Sequence, residues 1–411
     1  MNLLEKLESL NAVQAISMHV PGHKNNTIGQ LSKLNLIHDK TEIQGLDNLH
    51  EPEEVLKSLN QWISEKYSGY HAQVLTNGST TGIVSSILAA SAHANRYIIV
   101  GEAHKSVYHG IELAQKERIE LDNLDGFELK PSDVVIVTYP TYQGRVYDIE
   151  SLIQHVHRNR AVIIVDEAHG AHFDITPNFP KSSMNFNADI VVQSYHKMLP
   201  ALTMGSVVFS NDKELHNRLL KYISYIESSS PSYLIMASVE LAHGFYLDYD
   251  DEVFFAKRQQ IIETLKAVGC TVNEMNDPAK LNISHQNYSN YVIEQAMVDV
   301  NIYPEMTTEH GVLLILPLSH AGDTYPYKLL ISRLNTMQFG NVIEDRVEDY
   351  TQLMNRICIQ HIIPYPPGVP LVLKGQMITE EDVKSLIHLR RNRVKIEGIR
   401  NNLEYYKDRI R

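Results

Sequence analysis

Hydrophobic positions in the middle of the chain come in short unbroken runs rather than in strict alternation. Asp133-Val134-Val135-Ile136-Val137-Thr138 is one such run, closed by the turn-forming Tyr139-Pro140-Thr141-Tyr142-Gln143-Gly144. A helical stretch at 149–158 follows, with Leu152, Ile153 and Val156 as its apolar positions, and then Ala161-Val162-Ile163-Ile164-Val165. Ala188-Asp189-Ile190-Val191-Val192 and Ser206-Val207-Val208-Phe209 extend the series. Strands apolar on both faces and spaced by helix-length segments predict a mostly parallel sheet covered by helices, an α/β fold. Beyond residue 250 the texture changes: 254–268 reads as an amphipathic helix, and Val292-Ile293 and 312–316 read as strands with less regular connections. That pattern predicts a smaller α+β domain. The expected division is an N-terminal segment 1–40, a large domain 41–269 and a small C-terminal domain 270–411.

Composition narrows the class without naming a function. The 411 residues are 43% hydrophobic and 21% charged, ordinary for a globular protein and opposed to global disorder. No fixed-period repeat or low-complexity linker breaks the chain. The longest apolar runs, such as 311–318, fall short of the roughly 20 residues a membrane span needs. Met1-Asn2-Leu3-Leu4-Glu5-Lys6 lacks the basic-then-apolar order of a secretory signal, and two cysteines make no disulfide framework. A cytosolic location is the expectation. With 37 Lys+Arg against 49 Asp+Glu, the net charge of −12 disfavours non-specific nucleic-acid binding. The basic stretch 390–411 interleaves Glu397, Glu404 and Asp408 and is expected to be a solvated helix face. Twenty histidines are many for this length, and their clusters raise the question of metal.

Asp166-Glu167-Ala168-His169 matches the Walker-B-like box of one helicase class. Such an enzyme needs a G-x-x-x-x-G-K-[ST] loop to hold the triphosphate, and no stretch of this chain fits it. The box instead shows an acid at the C-terminal end of a buried strand, the edge where open α/β sheets bind ligands. Thirty-one residues later another buried strand runs into Gln193-Ser194-Tyr195-His196-Lys197. Burial lowers the pKa of an ammonium and frees the amine to condense with an aldehyde. An acid and a lysine on neighbouring strands are what a pyridoxal phosphate enzyme requires. The phosphate needs its own site. Asn77-Gly78-Ser79-Thr80-Thr81-Gly82, just before the helical stretch 83–94, offers three hydroxyls at a helix N-terminus, as either a cap or an anion cradle.

Met18-His19-Val20-Pro21-Gly22-His23-Lys24 resembles the H-x-P-G-H-K opening of the bacterial ornithine/lysine/arginine decarboxylases. The resemblance recurs in Thr41-Glu42-Ile43-Gln44-Gly45-Leu46-Asp47, in 77–82, in His104-Lys105-Ser106 and in 140–144. It continues through 166–173 and 193–205 to Pro364-Tyr365-Pro366-Pro367-Gly368-Val369-Pro370. The blocks keep the family's order from 18 to 376 and look like a compact member without the large N-terminal wing. The resemblance implies a fold-type-I, transferase-like architecture with pyridoxal 5'-phosphate as cofactor. Lys197 would carry the cofactor as a Schiff base, Asp166 would pair with the pyridine nitrogen, and His104 would stack on the ring. Ser79, Thr80, Ser194 and His196 would hold the phosphate, helped by Thr81 and the amides at 79–81. Ala168 and His169 would lie against or near the ring, and Lys197 or His196 would return the proton after carbon dioxide leaves. A homodimer with active sites at the subunit interface is implied, as is a basic amino acid giving a polyamine-type amine.

Two departures bear on the substrate. Gly101-Glu102 stand where the family commonly has Arg-Asn, and Gln376 stands where it often has Glu. Glu42 and Asp47 remain as acidic groups for the substrate side chain, or as helix or loop caps. Elimination, transamination and a catalytically silent cofactor-binding homologue stay open as alternatives. His19/His23 and His169/His172 resemble metal pairs, but Pro21 and Gly22 break any helix between the first two and no ligand set completes a site, so no metal is expected. Cys358 beside His361 is read as a structural cysteine rather than a nucleophile.

Overall fold

The computed structural model describes residues 3–308, 310–340, 350–365, 368–391 and 394–408. A short strand β1 (Ile16–Met18) precedes seven strands that share one sheet. These are β2 (His71–Leu75), β3 (Arg96–Val100), β4 (Glu117–Leu121), β5 (Asp133–Thr138), β6 (Val162–Asp166), β7 (Ile190–Gln193) and β8 (Ser206–Ser210). Their order is β2-β8-β7-β6-β5-β3-β4. Neighbours from β7 to β4 are parallel, while β8 runs against both of its neighbours. The unbroken apolar runs are explained by what covers the two faces. Val135, Val137, Ile163, Val165 and Val191 enter one apolar cluster; Val134, Ile136, Ile164, Ile190 and Val192 enter the other. Successive residues point to opposite faces, and both faces are dry.

Helices Gly78–Ala90, Lys105–Ala114 and Lys213–Ile226 fill the second cluster with Ile83, Ile87, Val107, Ile111 and Leu219. Helices Tyr233–Leu247 and Glu252–Ala267 cover the first, the latter close to the stretch expected at 254–268. The next strands are β9 (Thr271–Glu274), β10 (Lys280–Ser284), β11 (Ile302–Pro304), β12 (Met306–Thr308) and β13 (Gly311–Ile315). Four of them form an antiparallel sheet ordered β12-β13-β10-β9, and β11 pairs in parallel with β1. The N-terminal segment is thereby stitched to residue 302 and beyond. A hairpin-like pair, β14 (Ile363–Tyr365) with β15 (Lys395–Glu397), sits beside a separate apolar cluster around Tyr350, Leu353, Ile362 and Leu386.

Two expected elements differ. Val292-Ile293 lies inside helix Asn290–Asp299, where Ser289 caps the start and Ile293, Ala296 and Met297 share the buried face. Helical spacing over ten residues outweighs the strand preference of two β-branched ones. The basic tail is not one helix face: helix Glu380–Arg391 is followed by β15 and then helix Ile399–Asp408. No described helix is long and apolar enough to cross a membrane.

Gly82 fixes how closely the Gly78–Ala90 helix lies on the sheet. A Cβ there would stand 2.7 Å from Val192 Cγ1 and 2.9 Å from Leu75 Cδ1. Glycine-to-alanine in a helix ordinarily stabilises by about 1 kcal/mol. Here overpacking reverses the sign, and Gly82→Ala should cost about 1–3 kcal/mol in denaturant unfolding. An unchanged or raised stability would show that the helix has room to rise.

Candidate active site

A cavity of about 1650 Å³ opens over the C-terminal ends of the central strands, and Asp166, Ala168, His169, His196, Lys197 and His104 are among its walls. Asp166 is the last residue of β6, and β7, its parallel neighbour, leads into the short helix Tyr195–Met198 that carries Lys197. Adjacent strand ends therefore bring the two groups together from 31 residues apart. Burial is the largest influence on both. It pushes the Lys197 amine below its usual range, against the attraction of Asp166 and Glu305. It pushes the Asp166 carboxyl up, against Lys197 and the Ala168 N–H that donates to Oδ1 at 3.1 Å. A lysine held this dry has a larger neutral, nucleophilic fraction than one in water.

The amine lies 3.1 Å from His169 Nε2. His169 is itself buried, and burial followed by the charge of Lys197 drives its pKa well down, so it stays neutral. His196 also lines the cavity; its Nδ1 lies 3.0 Å from the Gly205 carbonyl, and burial lowers its pKa to about 4. The imidazole hydrogen-bonded to the amine is that of His169. His104 caps helix Lys105–Ala114, accepting from the Ser106 amide at 3.2 Å, and burial lowers its pKa to about 3. Gly368 of the C-terminal block reaches the same ring; a Cβ there would stand 3.0 Å from His104 Nε2, and its carbonyl accepts from Lys105 N at 2.9 Å.

Across the cavity, helix Gly78–Ala90 begins with Asn77, whose side chain makes no cap bond. Gly78 adopts φ +79°, and Ser79 and Thr80 line the cavity. The helix start thus presents first-turn amides that no Asn77 side chain satisfies, together with two hydroxyls, which suits a dianion. Ser194 is fully buried and reaches the cavity only through Ser79, its hydroxyl donating to Ser79 Oγ at 2.8 Å. The Thr81 side chain does not line the cavity: it is buried, and its hydroxyl turns back to the Asn77 carbonyl at 3.5 Å, which leaves only its backbone amide for the phosphate. One residue further along a helix is a rotation of about 100°, enough to move a side chain off the ligand face. The set fits pyridoxal phosphate: a dry amine, a carboxylate on the next strand, an imidazole beside the amine, an uncapped helix N-terminus, and a buried His169 Nδ1 without a partner among the described residues.

Glu42, Asp47 and Gln376 do not line the cavity of the described chain. Asp47 caps helix Val55–Ser64, accepting from the amides of Glu53, Glu54, Leu56 and Lys57. Burial pushes its carboxyl up, but these donors together hold it below the usual range. Gln376 is exposed and accepts from Leu373 N at 3.0 Å. Glu42 is half-buried with Oε1 unpartnered. His172 Nε2 lies 2.8 Å from Asp277 Oδ1, both fully buried, which makes it a core hydrogen-bonding residue. His19 lines the cavity, whereas His23 accepts from the Asn26 amide. The residues that sequence reasoning missed are Glu305, Lys280 and Asp277. They stand singly in short loops and strands of an irregular region, where no local pattern marks them.

The opening motif docks directly on the lysine segment. Gly22 N donates to the His196 carbonyl at 2.8 Å, and a Cβ on Gly22 would stand 2.5 Å from the Leu199 oxygen. Lys24 is buried and donates to the carbonyls of His19 and Ile315. Gly22→Ala should therefore displace the loop from 196–199, lower the melting temperature and reduce the fraction of protein that retains cofactor through gel filtration. A variant that keeps wild-type cofactor content would show the close approach to be dispensable.

The chain matches the family models described as "Orn/Lys/Arg decarboxylase, major domain" over residues 127–283 and "Orn/Lys/Arg decarboxylase, C-terminal domain" over 338–399. It is 32% identical to the uncharacterized protein YaaO of Bacillus subtilis strain 168, across 93% of this chain and 92% of that one. It is 24% identical to the arginine decarboxylase of the same organism, across 90% and 89%. Among solved structures it resembles the lysine decarboxylase LdcF of Francisella novicida, with TM-score 0.66 and 18% identity over 86% of this chain and 71% of that one. It also resembles a serine palmitoyltransferase of Sphingomonas wittichii, with TM-score 0.56 and 16% identity over 72% and 77%. These last two speak for the fold-type-I architecture. Fold, cavity and family models agree: the chain belongs to the Orn/Lys/Arg decarboxylase family and is a pyridoxal phosphate-dependent amino-acid carboxy-lyase.

Proposed function

We propose that this enzyme removes the α-carboxyl group of a basic amino acid, lysine, ornithine or arginine, releasing carbon dioxide and a polyamine-type amine. The observation that carries the assignment of roles is the buried Lys197 amine, facing Asp166 and touching His169 on the cavity floor. Lys197 is the group that would hold the cofactor, and Asp166 the one that would keep its ring nitrogen protonated. Ser79, Thr80 and the first-turn amides would hold its phosphate, with Ser194 fixing Ser79. When bound, the cofactor supplies an electron sink for the pair left by the departing carboxyl group.

The protein's own groups then do three things. Asp166, dry and electrostatically coupled to the amine, would pair with the cofactor's ring nitrogen. His169 holds Lys197 Nζ by a 3.1 Å hydrogen bond and, staying neutral, can pass a proton to or from it. Lys197 would return a proton at the substrate α-carbon. His196, whose Nδ1 is engaged by the Gly205 carbonyl, lines the same cavity and is the other candidate for that proton. The family model and the arginine decarboxylase relative support a basic side chain; the cavity wall also includes Glu102 and Glu305. We place the enzyme in the cytoplasm as a homodimer whose partner completes the substrate end. That would explain why Glu42 and Gln376 stand outside the cavity of one chain.

The test is a panel of lysine, ornithine, arginine and neutral amino acids, with trapped carbon dioxide as the readout. One basic amino acid should turn over best, and Lys197→Ala should lose the visible cofactor band and at least about a thousandfold of the turnover. Carbon dioxide from none of them, with amine exchange or elimination products instead, would replace decarboxylation by another reaction of the same fold.

A further inference from the structure

Glu305 stands between β11 and β12, outside every sequence motif, yet its side chain lines the cavity. Both oxygens are engaged, and with partners from different parts of the chain. Oε2 accepts from Val20 N at 2.8 Å, in the opening motif, and Oε1 accepts from the Tyr142 hydroxyl at 2.6 Å, in the turn after β5. The Tyr142 ring meets His169 edge-on with centroids 4.4 Å apart, and His169 holds the Lys197 amine. Lys280 grips the same turn from below, donating to the Tyr142 carbonyl at 3.0 Å. A continuous set of contacts thus runs from Glu305 through Tyr142 and His169 to Lys197.

We propose that Glu305 is a positioning residue for the reaction. It clasps the Val20 loop and Tyr142 together, seats Tyr142 against His169, and fixes a negative charge on the Lys197 side of the cavity. The proposal rests on Lys197 as the cofactor-bearing amine. Five cationic or titratable groups face this carboxylate: Lys197, Lys24, Lys280, His19 and Tyr142. Lys197 in turn faces Asp166, Glu305, His169, His104, His196 and Lys280. Burial, then Glu305, push the Tyr142 phenol far above its usual range, so it stays a hydrogen-bond donor at every working pH. Removing the charge at 305 while keeping the shape withdraws a group that holds protons on the nitrogen of Lys197. The proton is then lost at lower pH.

The test uses the cofactor-loaded enzyme and two variants, Glu305→Gln and Tyr142→Phe. For each, the visible cofactor band is titrated with pH and kcat is measured with the best substrate of the panel. Glu305→Gln should bind cofactor but titrate at lower pH than wild type, with kcat down about tenfold to a hundredfold. Tyr142→Phe keeps the charge and loses the clasp, so kcat should fall while the midpoint does not. It also tests the clasp if Glu305→Gln fails to fold. A wild-type midpoint in Glu305→Gln, or wild-type kcat in Tyr142→Phe, overturns the proposal while leaving Lys197 in place. A wild type without any cofactor band overturns both.

Discussion

The site depends on desolvation of Lys197 and Asp166 at the ends of two adjacent parallel strands. Water would stabilise both charges; burial takes it away from an amine and a carboxyl at once, and their mutual attraction offsets only part of the effect. Such a pair persists because the surrounding structure fixes it. The strands are held in register by parallel pairing from β4 to β7, and β3, β5, β6 and β7 are apolar on both faces. The polar groups that reach the cavity come from the strand ends and the loops after them, where backbone N–H groups are free to serve ligands.

Several distant segments close over this pair, each by a contact with little tolerance. Gly22 lies against the Leu199 carbonyl, Gly368 lies against His104, and Glu305 joins Val20 to Tyr142. The first segment also pairs as β1 with β11, so residues 16–24 belong spatially to the region beyond 300 as much as to the large domain. The cavity is therefore a joint between parts of the chain. The rigid sheet places the chemistry, and the loops decide how the amine and its imidazole sit.

The sequence was most legible where one residue type has one physical use. Unbroken apolar runs bounded by turns announced β5 to β8, and an acid and a lysine at the ends of two such runs announced the site. The edge strand β4, Glu117–Leu121, mixes three charged residues with Ile119 and Leu121, lies half in solvent and carries no such mark. Thr81 shows what a hydroxyl pattern leaves open, since it does not say which side chain the helix rotates away from the cavity. Asp47 shows the reverse: its value lies in four amides at and just before a helix start, a capping role the sequence left open against substrate binding. His169, expected near the ring, contacts the amine itself, a relation set by how two loops face each other. Glu305 was illegible because its partners lie 285 and 163 residues away. Long-range contacts of isolated residues leave no periodicity to read.

The central claim is that Lys197, among several buried lysines, is the amine that carries the cofactor. Lys24 and Lys280 are also buried, and burial lowers their pKa to about 7 and about 8, so either is an amine able to compete. Borohydride reduction of the cofactor-loaded enzyme, followed by proteolysis and mass spectrometry, fixes the cofactor permanently on whichever lysine holds it. The account predicts one modified peptide, with the mass increment on Lys197. An increment on Lys24, Lys280 or any other lysine, or no increment in cofactor-loaded protein, would contradict it.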